Sequence, residues 1–412
     1  MALLKTSNLA LLTFICYLLL VRICRYRRVN KTTAKYARHE HDKLELTPQE
    51  AQQIVHDSLL YDAPLTMLLG FQITLFKVFG ISSIAAMLFK SGHLMRETDL
   101  NKRLVDTVTL MSTILCNAFP PRADTDDASD PRAAIALARV NWIHDKYQIK
   151  NEDYLFNLAL LIQEPIQWTN RFNWRPHSPL EKKAIFILWT NIGQSMGIKN
   201  IWSTYEEMEQ WTESYGQKNM ICSEAAYKLS RTTINHFVNQ VPENLGLRFV
   251  AYNFFLTLLD EQSRFAMQLP PPNPIIASMI YILFRSRAWI VRHLCFPRFK
   301  PSLWVAMTPE PIGTITGMPR LHAVHLRSSG PYYYPEKKGL ALSIQCLLVK
   351  FGLQDLHTVP GKKWRSEGYR LEELGPVQWE NVGHEKVMET AAEIQGHPIT
   401  GAWSLPMAQK RD

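Results

Sequence analysis

Residues 98–118 read TDLNKRLVDTVTLMSTILCNA, and this stretch says most about the fold. Its apolar side chains recur every three or four residues, which is the period of an α-helix. They are Val105, Val108, Leu110, Met111, Ile114 and Leu115. Arg103, Asp106 and Thr107 follow the spacing i, i+3 and i+4, so a helix would place them on one face. The stretch therefore predicts an apolar helix that carries a cation, an acid and a hydroxyl side by side.

A second helix is predicted over residues 132–148, which contain the sequence Arg139-Val140-Asn141-Trp142-Ile143-His144. Ser129-Asp130-Pro131 precedes it and combines a capping residue with a proline suited to a first turn. His144 lies in a segment of this helix that should be buried. From the spacing alone, we interpret it as a core histidine beside a structural ion pair. The alternative is a ligand, because one histidine is what a haem needs as its proximal ligand.

Further segments along the chain also show helical periodicity. They cover residues 153–168, which we expect to end near Pro165, and residues 180–196, about 203–240, 244–267 and 275–295. The last hundred residues are rich in glycine and proline and show weak periodicity. Few segments alternate between apolar and polar residues as half-buried strands do. We therefore predict a mainly α fold.

The chain begins with a short apolar segment beside a cluster of positive charge. Leu9 to Val21 reads LALLTFICYLLLV without a charged residue. It is followed by Arg22, Arg25, Arg27, Arg28 and Lys31, whereas Lys5 is the only charged side chain before it. A cleaved signal peptide has an apolar run of similar length, but no small-residue cleavage site follows this one. We predict an N-terminal transmembrane helix, and the charge asymmetry predicts that the chain after it is cytosolic.

Two later apolar segments bear on the membrane topology. Residues 64–89 are strongly apolar, but Lys77 would lie near the middle of a bilayer at considerable cost. We therefore favour a buried or interfacial helical hairpin over a second span. Residues 275–295 mix apolar side chains with three arginines and a histidine, which predicts a basic amphipathic helix on the protein body or on the membrane surface.

Two short motifs match known catalytic patterns in the wrong context. Residues 193–197 read GQSMG and match the GxSxG nucleophile motif, which requires a strand before it and a helix after it. Residues 181–192 predict a helix instead, so we interpret the glycines as a helix end. Residues 126–130 read DDASD and match the DDxxD motif of prenyl-transferring enzymes. They lie in a proline-rich acidic loop, which we interpret as a solvated linker.

The residues that could bind a metal directly form no recognisable set. His322 with His325, and His39 with His41, could each supply two ligands, but neither pair has an obvious third partner at helical spacing. We interpret both pairs as exposed or hydrogen-bonded histidines. The six cysteines show no CxxC pair, so they predict neither a zinc site nor a disulfide framework.

At the two helices described first, the sequence resembles the reticulum-bound oxygenases of the mpaB type, and the resemblance extends over most of the chain. The matching positions are residues 20–27, 75–77, 80–81, 102–103, 106–107, 139, 143–144, 158–160, 189–198, 367–369, 375–376 and 383–384. This family shares its catalytic domain with bacterial rubber oxygenases, which are globin-like, all-helical haem b dioxygenases. The resemblance therefore implies a globin-like helical haem domain that follows an N-terminal transmembrane helix.

The resemblance also implies roles for individual residues. His144 matches the proximal iron ligand, and Arg103 and Thr107 match the distal residues that interact with dioxygen. Asp106 stands where the rubber oxygenases have a lysine, and we expect it to accept a proton or to orient water. Arg139 matches, in a shifted position, an arginine that precedes the proximal histidine in the relatives, and Asn157 takes the place of a threonine near the start of the following helix. We therefore expect Arg103, Asp106 and Thr107 to be catalytic, His144 to bind the metal, and His144, Arg139 and Asn157 to bind the cofactor.

Together these observations imply a membrane-bound oxygenase that uses haem b and O2. It would cleave or oxygenate a C=C bond of a prenylated, terpenoid or polyketide intermediate in secondary-metabolite biosynthesis. Alternatives are a non-enzymatic lipid-binding or scaffold protein on the same fold, and an enzyme that uses another metal or none.

The expected location is the membrane of the endoplasmic reticulum, with a single span and a cytosolic catalytic domain. The expected partners are the membrane, a lipophilic small molecule and other membrane-bound biosynthetic enzymes, but no nucleic acid. The predicted segments are an anchor (1–30), an apolar helical region (31–90), a catalytic core (91–270) and a C-terminal region (271–412).

Overall fold

The structure is a computed structural model that describes residues 2–41, 45–117, 119, 130–243, 246–306, 319–324, 330–351 and 359–405. In these residues the α-helices are α1 (Ala2–His41), α2 (Pro48–His56), α3 (Pro64–Lys77), α4 (Ser82–Ser91), α5 (Glu97–Cys116), α6 (Arg132–His144), α7 (Asn151–Phe172), α8 (Pro179–Ser195), α9 (Tyr205–Asn219), α10 (Glu224–Asn239), α11 (Leu247–Leu258), α12 (Glu261–Ala266), α13 (Pro274–Leu294), α14 (Leu340–Lys350) and α15 (His384–Gln395). Across the described ranges, extended pairing is limited to one antiparallel bridge between Leu321 and Tyr369. The predicted mainly α fold is confirmed, whereas its globin-like character stays a prediction.

The chain divides into two compact units, and each unit combines separate stretches of sequence. The first comprises Met1–Ile84, Asn151–Tyr227 and Pro242–Ser302, and the second comprises Ala85–Lys150, Lys228–Val241 and Leu303–Asp412. The four segments predicted from the sequence were consecutive, and their boundaries stay a prediction.

Helices α3 and α7 pack closely against each other in the first unit. A Cβ atom placed on Gly70 would lie 2.5 Å from the Cα atom of Pro165, so only a glycine allows the two backbones to approach this closely. The hydroxyl of Thr74 donates to the carbonyl of Leu160 across the same contact, at 3.1 Å. α3 is therefore held against the protein body, as the predicted buried hairpin requires.

The predicted end of α7 near Pro165 is wrong, because the helix continues for two turns to Phe172. A proline inside a helix removes one backbone hydrogen bond and usually kinks or ends it. Here the last two turns bury Trp168 and Phe172 in a cluster with Ile73, Ile280 and Phe284. Burial of these large rings offsets the cost of the proline.

The bounds of α8 show whether residues 193–197, GQSMG, have the strand-to-helix context of a nucleophile motif. α8 begins with a capping box between Ser178 and Glu181 and extends to Ser195, so the serine of GQSMG lies at a helix end. Gly197 follows with a φ of +75°, which is the left-handed conformation typical of the residue after a helix. The interpretation of these glycines as a helix end is confirmed. The segments predicted over about 203–240 and 244–267 each form two helices rather than one.

Among the described residues, two helices of the first unit are long and apolar enough to cross a membrane. They are residues 8–37 of α1 and the whole of α13, and a third candidate arises if the bent pair Pro48–Asp62 and Pro64–Gly80 counts as one broken span. α1 and α13 contact each other: the hydroxyl of Tyr17 donates to the carbonyl of Leu294 at 2.6 Å, and Arg25 donates to the carbonyl of Cys295 at 2.7 Å. The prediction of an N-terminal membrane helix is supported, and α13 is a second candidate.

The second unit contains the two helices that the sequence analysis singled out. α5 packs on α6, and α6 also packs on α15 and on the short turn Leu371–Glu373. Residues from the C-terminal hundred therefore cover both helices, although their sequence shows little periodicity.

Replacing Gly70 tests the close contact between α3 and α7. We expect Gly70→Ala to lower the free energy of unfolding by about 1–3 kcal/mol, because the added methyl group meets backbone atoms that cannot move aside easily. Gly361→Ala is the matched control, since its φ of 177° is extended and its Cβ would meet open space. Denaturant unfolding of the purified full chain measures both, and equal stability of the two variants would contradict the contact.

The buried His177 makes stability depend on pH. Its Nε2 atom lies 2.9 Å from the hydroxyl of Ser58, and burial lowers the pKa of His177 to about 4. An unfolded chain binds a proton at this histidine below pH ~6.5, whereas the folded chain does not until pH ~4. We therefore expect the free energy of unfolding to decrease progressively as the pH is lowered from about 6.5 to about 4. The unfolding midpoint of wild type and His177→Asn, measured from pH 7 to pH 4.5, tests this, and an equal slope for both would contradict it.

Candidate active site

The side chain of Asp106 on α5 is held by three hydrogen-bond donors. Its side chain is fully buried. One carboxylate oxygen accepts from the hydroxyl of Tyr333 at 2.7 Å, and the other accepts from the ammonium of Lys102 at 2.6 Å and from the backbone N–H of Gly375 at 2.9 Å. Both oxygens of the carboxylate are thus engaged by donors of the protein, so Asp106 joins α5 to two distant parts of the chain.

Lys102 completes this buried network. Besides Asp106, its ammonium donates to the carbonyl of Gly375 at 2.8 Å and lies 2.9 Å from a carboxylate oxygen of Glu380. Three acceptors match the three N–H groups of an ammonium. Burial alone would raise the pKa of Glu380, but Arg365 and Lys102 lower it, so this carboxyl stays ionised.

Arg139 of α6 holds the same C-terminal region from the other side. Its guanidinium donates to three backbone carbonyls, those of Leu374 at 2.7 Å, Val382 at 2.9 Å and Trp379 at 2.6 Å. Burial lowers the pKa of Arg139 to about 10, so it is charged at neutral pH. Its planar group also lies 4.8 Å from the centre of the Trp142 ring, which adds a cation–π contact.

Residues 374–383, here called the C-terminal strap, lie against α6 through two glycines. Gly375 has a φ of +126°, and a Cβ atom there would lie 2.6 Å from Ile143. Gly383 has a φ of +81°, and a Cβ atom there would lie 2.2 Å from the Trp142 ring. Both the backbone conformation and the space therefore require glycine. Lys102, Asp106 and Arg139 hold the strap on α5 and α6.

His144 is the last residue of α6 and has an altered protonation equilibrium. Burial and, as the smaller cause, the positive charge of Arg103 together lower its pKa to about 4. The imidazole is therefore neutral at physiological pH, which is the form that binds a metal ion. Burial also lowers the pKa of Arg103, although the nearby Tyr147 and Asp106 act in the opposite direction.

Arg103 lies at a small cavity of about 30 Å³ between α5 and the C-terminal strap. His93, Asp99, Lys102 and Gln378 also line this cavity, which has the size of one water molecule. Thr107 follows Arg103 by one helical turn and is half-buried. The second unit thus brings Arg103 of α5 close to His144 of α6, with Thr107 one turn further along α5.

The structure assigns the predicted site residues to different environments. Arg103, Asp106, Thr107, Arg139 and His144 lie on α5 and α6 of the second unit, whereas Asn157 lies half-buried on α7 of the first. Asp106 and Arg139 are fully engaged in holding the strap, which is a different task from those the resemblance implied. Their assignments to catalysis and cofactor binding stay predictions.

Sequence reasoning missed Lys102, Tyr333 and Glu380. Lys102 and Gly375 belonged to stretches that match the family, but this match gave them no role. Tyr333 gave no signal at all, because its φ of +65° and its contact with Asp106 depend on tertiary structure.

Other candidate ligands contribute no further site in the described part of the chain. No group of three or more histidine, cysteine, aspartate or glutamate side chains is arranged there to hold a metal ion. His322 contacts the carbonyl of Tyr333 at 3.0 Å, so it is hydrogen-bonded as expected. His325, residues 126–129 and the side chains of His39 and His41 lie outside what the structure describes.

Comparison with known proteins supports the resemblance over nearly the whole chain. No family model matches it. It is 26% identical to an ER-bound oxygenase mpaB′ of Penicillium brevicompactum over 409 residues, which covers 92% of this chain and 90% of that protein. The chain is a relative of the mpaB-type oxygenases. ER-bound oxygenases mpaB of Penicillium roqueforti and of P. brevicompactum are 27% and 26% identical, and they cover 61% and 70% of the chain.

The mpaB-type relatives agree with the class of protein predicted from the sequence. All three are named oxygenases, which are oxidoreductases, and all three are named as bound to the endoplasmic reticulum. The expected family is therefore confirmed. The names do not mention a haem, so that part of the prediction rests on the residues.

Replacing Asp106 distinguishes a structural role from a catalytic one. We expect Asp106→Asn to cost about 3–5 kcal/mol of stability, because it leaves the buried ammonium of Lys102 with one fewer carboxylate. Tyr333→Phe, which removes one hydrogen bond to the same carboxylate, should cost about 1–2 kcal/mol. Chemical unfolding of both variants measures this. An Asp106→Asn protein that is as stable as wild type but inactive would make Asp106 a reacting acid instead.

Proposed function

We propose that the protein is a haem-dependent oxygenase that acts on a C=C bond of a lipophilic intermediate in secondary-metabolite biosynthesis. The intermediate is a prenylated, terpenoid or polyketide compound. The names of the relatives support the oxygenase class. The observation that supports the haem is the position of His144 at the end of α6, where Arg103 lies close enough to lower its pKa and so favours the neutral imidazole.

The residues of the second unit fit a haem in their chemistry. A haem needs one neutral nitrogen ligand from the protein, because its porphyrin supplies four others. His144 meets this requirement, since burial keeps it unprotonated at physiological pH. When bound, the haem would supply an iron that activates O2.

The remaining chemistry belongs to residues of this chain. Arg103 keeps its positive charge in a partly dehydrated position, where a charge stabilises developing negative charge more strongly than in water. Thr107 lies one turn further along α5 and presents a hydroxyl on the same face. We propose that Arg103 and Thr107 act on oxygen, and that Asp106 and Arg139 position α5 and α6 by holding the strap.

The membrane helices fit a lipophilic substrate that partitions into the bilayer. Positive charge after the first apolar segment favours an orientation in which the rest of the chain is cytosolic. We propose that the protein is held in the reticulum membrane by α1, with its catalytic residues on the cytosolic side. Tethering keeps the enzyme where a compound with low water solubility accumulates.

Visible spectroscopy of detergent-purified protein tests the haem and its ligand. We expect a Soret band in wild type, its loss in His144→Ala, and its retention in His93→Ala. His93 is a matched control because it also lies beside Arg103. Well-folded wild-type protein without haem would contradict the proposal and would favour a non-enzymatic lipid-binding or scaffold protein.

Replacing Arg103 tests the distal assignment separately. Arg103→Ala should retain haem but lower turnover of a lipophilic alkene about a hundredfold, which is the usual effect of removing one charge-stabilising donor. Haem content measured in the same sample separates this effect from loss of cofactor. Wild-type turnover by a haem-loaded Arg103→Ala protein would show that Arg103 has no part in the reaction.

A further inference from the structure

The first unit contains a cavity of about 490 Å³ between α3, α7, α11 and α13. Its volume falls within the range of small-molecule binding sites. Every residue that lines it belongs to the first unit. The cavity therefore does not depend on His144, Arg103 or any other residue proposed above to act in oxidation.

One wall of the cavity is apolar and aromatic. It is formed by Trp168, Phe172, Ile280 and Phe284, which also pack together in the core. At the rim, the exposed Arg171 places its guanidinium 4.9 Å from the centre of the Phe172 ring and 5.7 Å from that of Tyr281. This wall suits a hydrocarbon chain or ring system.

A group of three charged residues lies at the polar end of the cavity. The ammonium of Lys77 lies 2.6 Å from a carboxylate oxygen of Glu164 and 2.5 Å from one of Asp260. Lys77 and Glu164 are nearly buried, with side chains 14% and 5% exposed, whereas Asp260 is 45% exposed. Burial would lower the pKa of Lys77, but the two carboxylates raise it, so the ammonium stays charged. The group therefore carries a formal charge of −1.

The cavity lies beside a surface that suits a bilayer. α13 contributes Ser278 and Ile280 to its lining, and the neighbouring Met279 and Leu283 are 63% and 68% exposed. Because α13 is long and apolar enough to cross a membrane, these exposed side chains have a natural environment in lipid. A ligand dissolved in the bilayer would reach the cavity without passing through water.

We propose that this cavity binds a neutral lipophile that carries a hydroxyl group, such as an isoprenoid alcohol. A hydroxyl can accept from the ammonium of Lys77 and donate to a carboxylate, which satisfies both kinds of group at the polar end. A carboxylate or phosphate head group at this end would be repelled by the formal charge of −1, because the cation Arg171 lies about two helical turns from Glu164, at the rim. A pure hydrocarbon would leave the charged group dehydrated without a new hydrogen bond.

Binding of radiolabelled farnesol to the full chain in phosphatidylcholine nanodiscs tests the site. We expect saturable binding of farnesol, and binding of farnesoic acid at pH 7.5 that is about tenfold weaker or less. Ser278→Trp should fill the cavity and weaken farnesol binding about tenfold or more. Met279→Trp is the matched control, since this neighbour points away from the cavity lining and should bind farnesol as wild type does.

A substitution of Asp260 tests the effect of the negative charge at the polar end of the cavity. Asp260→Asn removes one negative charge but retains a residue that can cap α12, where Asp260 now accepts from the N–H of Ser263 at 2.7 Å. We expect it to reduce the preference for farnesol over farnesoic acid by about tenfold. Unchanged farnesol binding in Ser278→Trp would overturn the site, and equal binding of alcohol and acid to wild type would overturn the ligand class.

The same measurement in haem-free protein keeps this proposal separate from the oxygenase proposal. Farnesol binding should persist in His144→Ala, because the cavity uses residues of the first unit alone. Loss of the Soret band in His144→Ala with retained farnesol binding would support the assignment of His144 as the haem ligand and the independence of the cavity from the haem. Retained haem with no saturable farnesol binding would overturn the cavity proposal and leave the oxygenase proposal standing.

Discussion

The buried carboxylate of Asp106 is the constraint on which the second unit depends. A fully buried charge is tolerated only when it is paired and hydrogen-bonded, and here Lys102, Tyr333 and the backbone of Gly375 provide these partners. The partners come from three separate parts of the sequence, so the charge can be satisfied only in the folded arrangement. Arg139 supplies the matching constraint from α6, since three carbonyls of the strap satisfy its guanidinium. Together these two charges hold the helices that carry Arg103 and His144.

This arrangement separates residues that support the helices from those proposed to take part in the reaction. Residues with every polar atom engaged by the protein, such as Asp106, are well placed to fix geometry and poorly placed to exchange protons. Arg103 and His144 differ, because the first lines a cavity and the second is kept neutral by burial and by the charge of Arg103. Six residues predicted together from a resemblance thus divide into groups with different physical environments. Positioning by a rigid buried network is what a reacting group requires in order to act on a bound molecule.

The sequence predicted local structure better than tertiary contacts. The 3.6-residue period identified α5 and α8 closely, because it depends on neighbours within one or two turns. It misplaced the end of α7, since the cost of Pro165 is offset by packing that involves α3 and α13. It also missed Tyr333 and Glu380, whose partners are more than two hundred residues away. The resemblance identified His144 and Arg103, which spacing alone would have assigned to the core.

The proposed oxidation of a lipophilic alkene is tested most directly by tracing oxygen from O2. Full-length protein in nanodiscs would be supplied with a farnesylated aromatic compound under ¹⁸O2, and the products analysed by mass spectrometry. We predict oxidised products, including carbonyl compounds if the double bond is cleaved, that carry ¹⁸O from O2 and that His144→Ala does not form. Oxidised products that lack ¹⁸O although their carbonyl groups were reduced to alcohols at once, before exchange with water, would contradict the proposed function, as would equal product formation by His144→Ala.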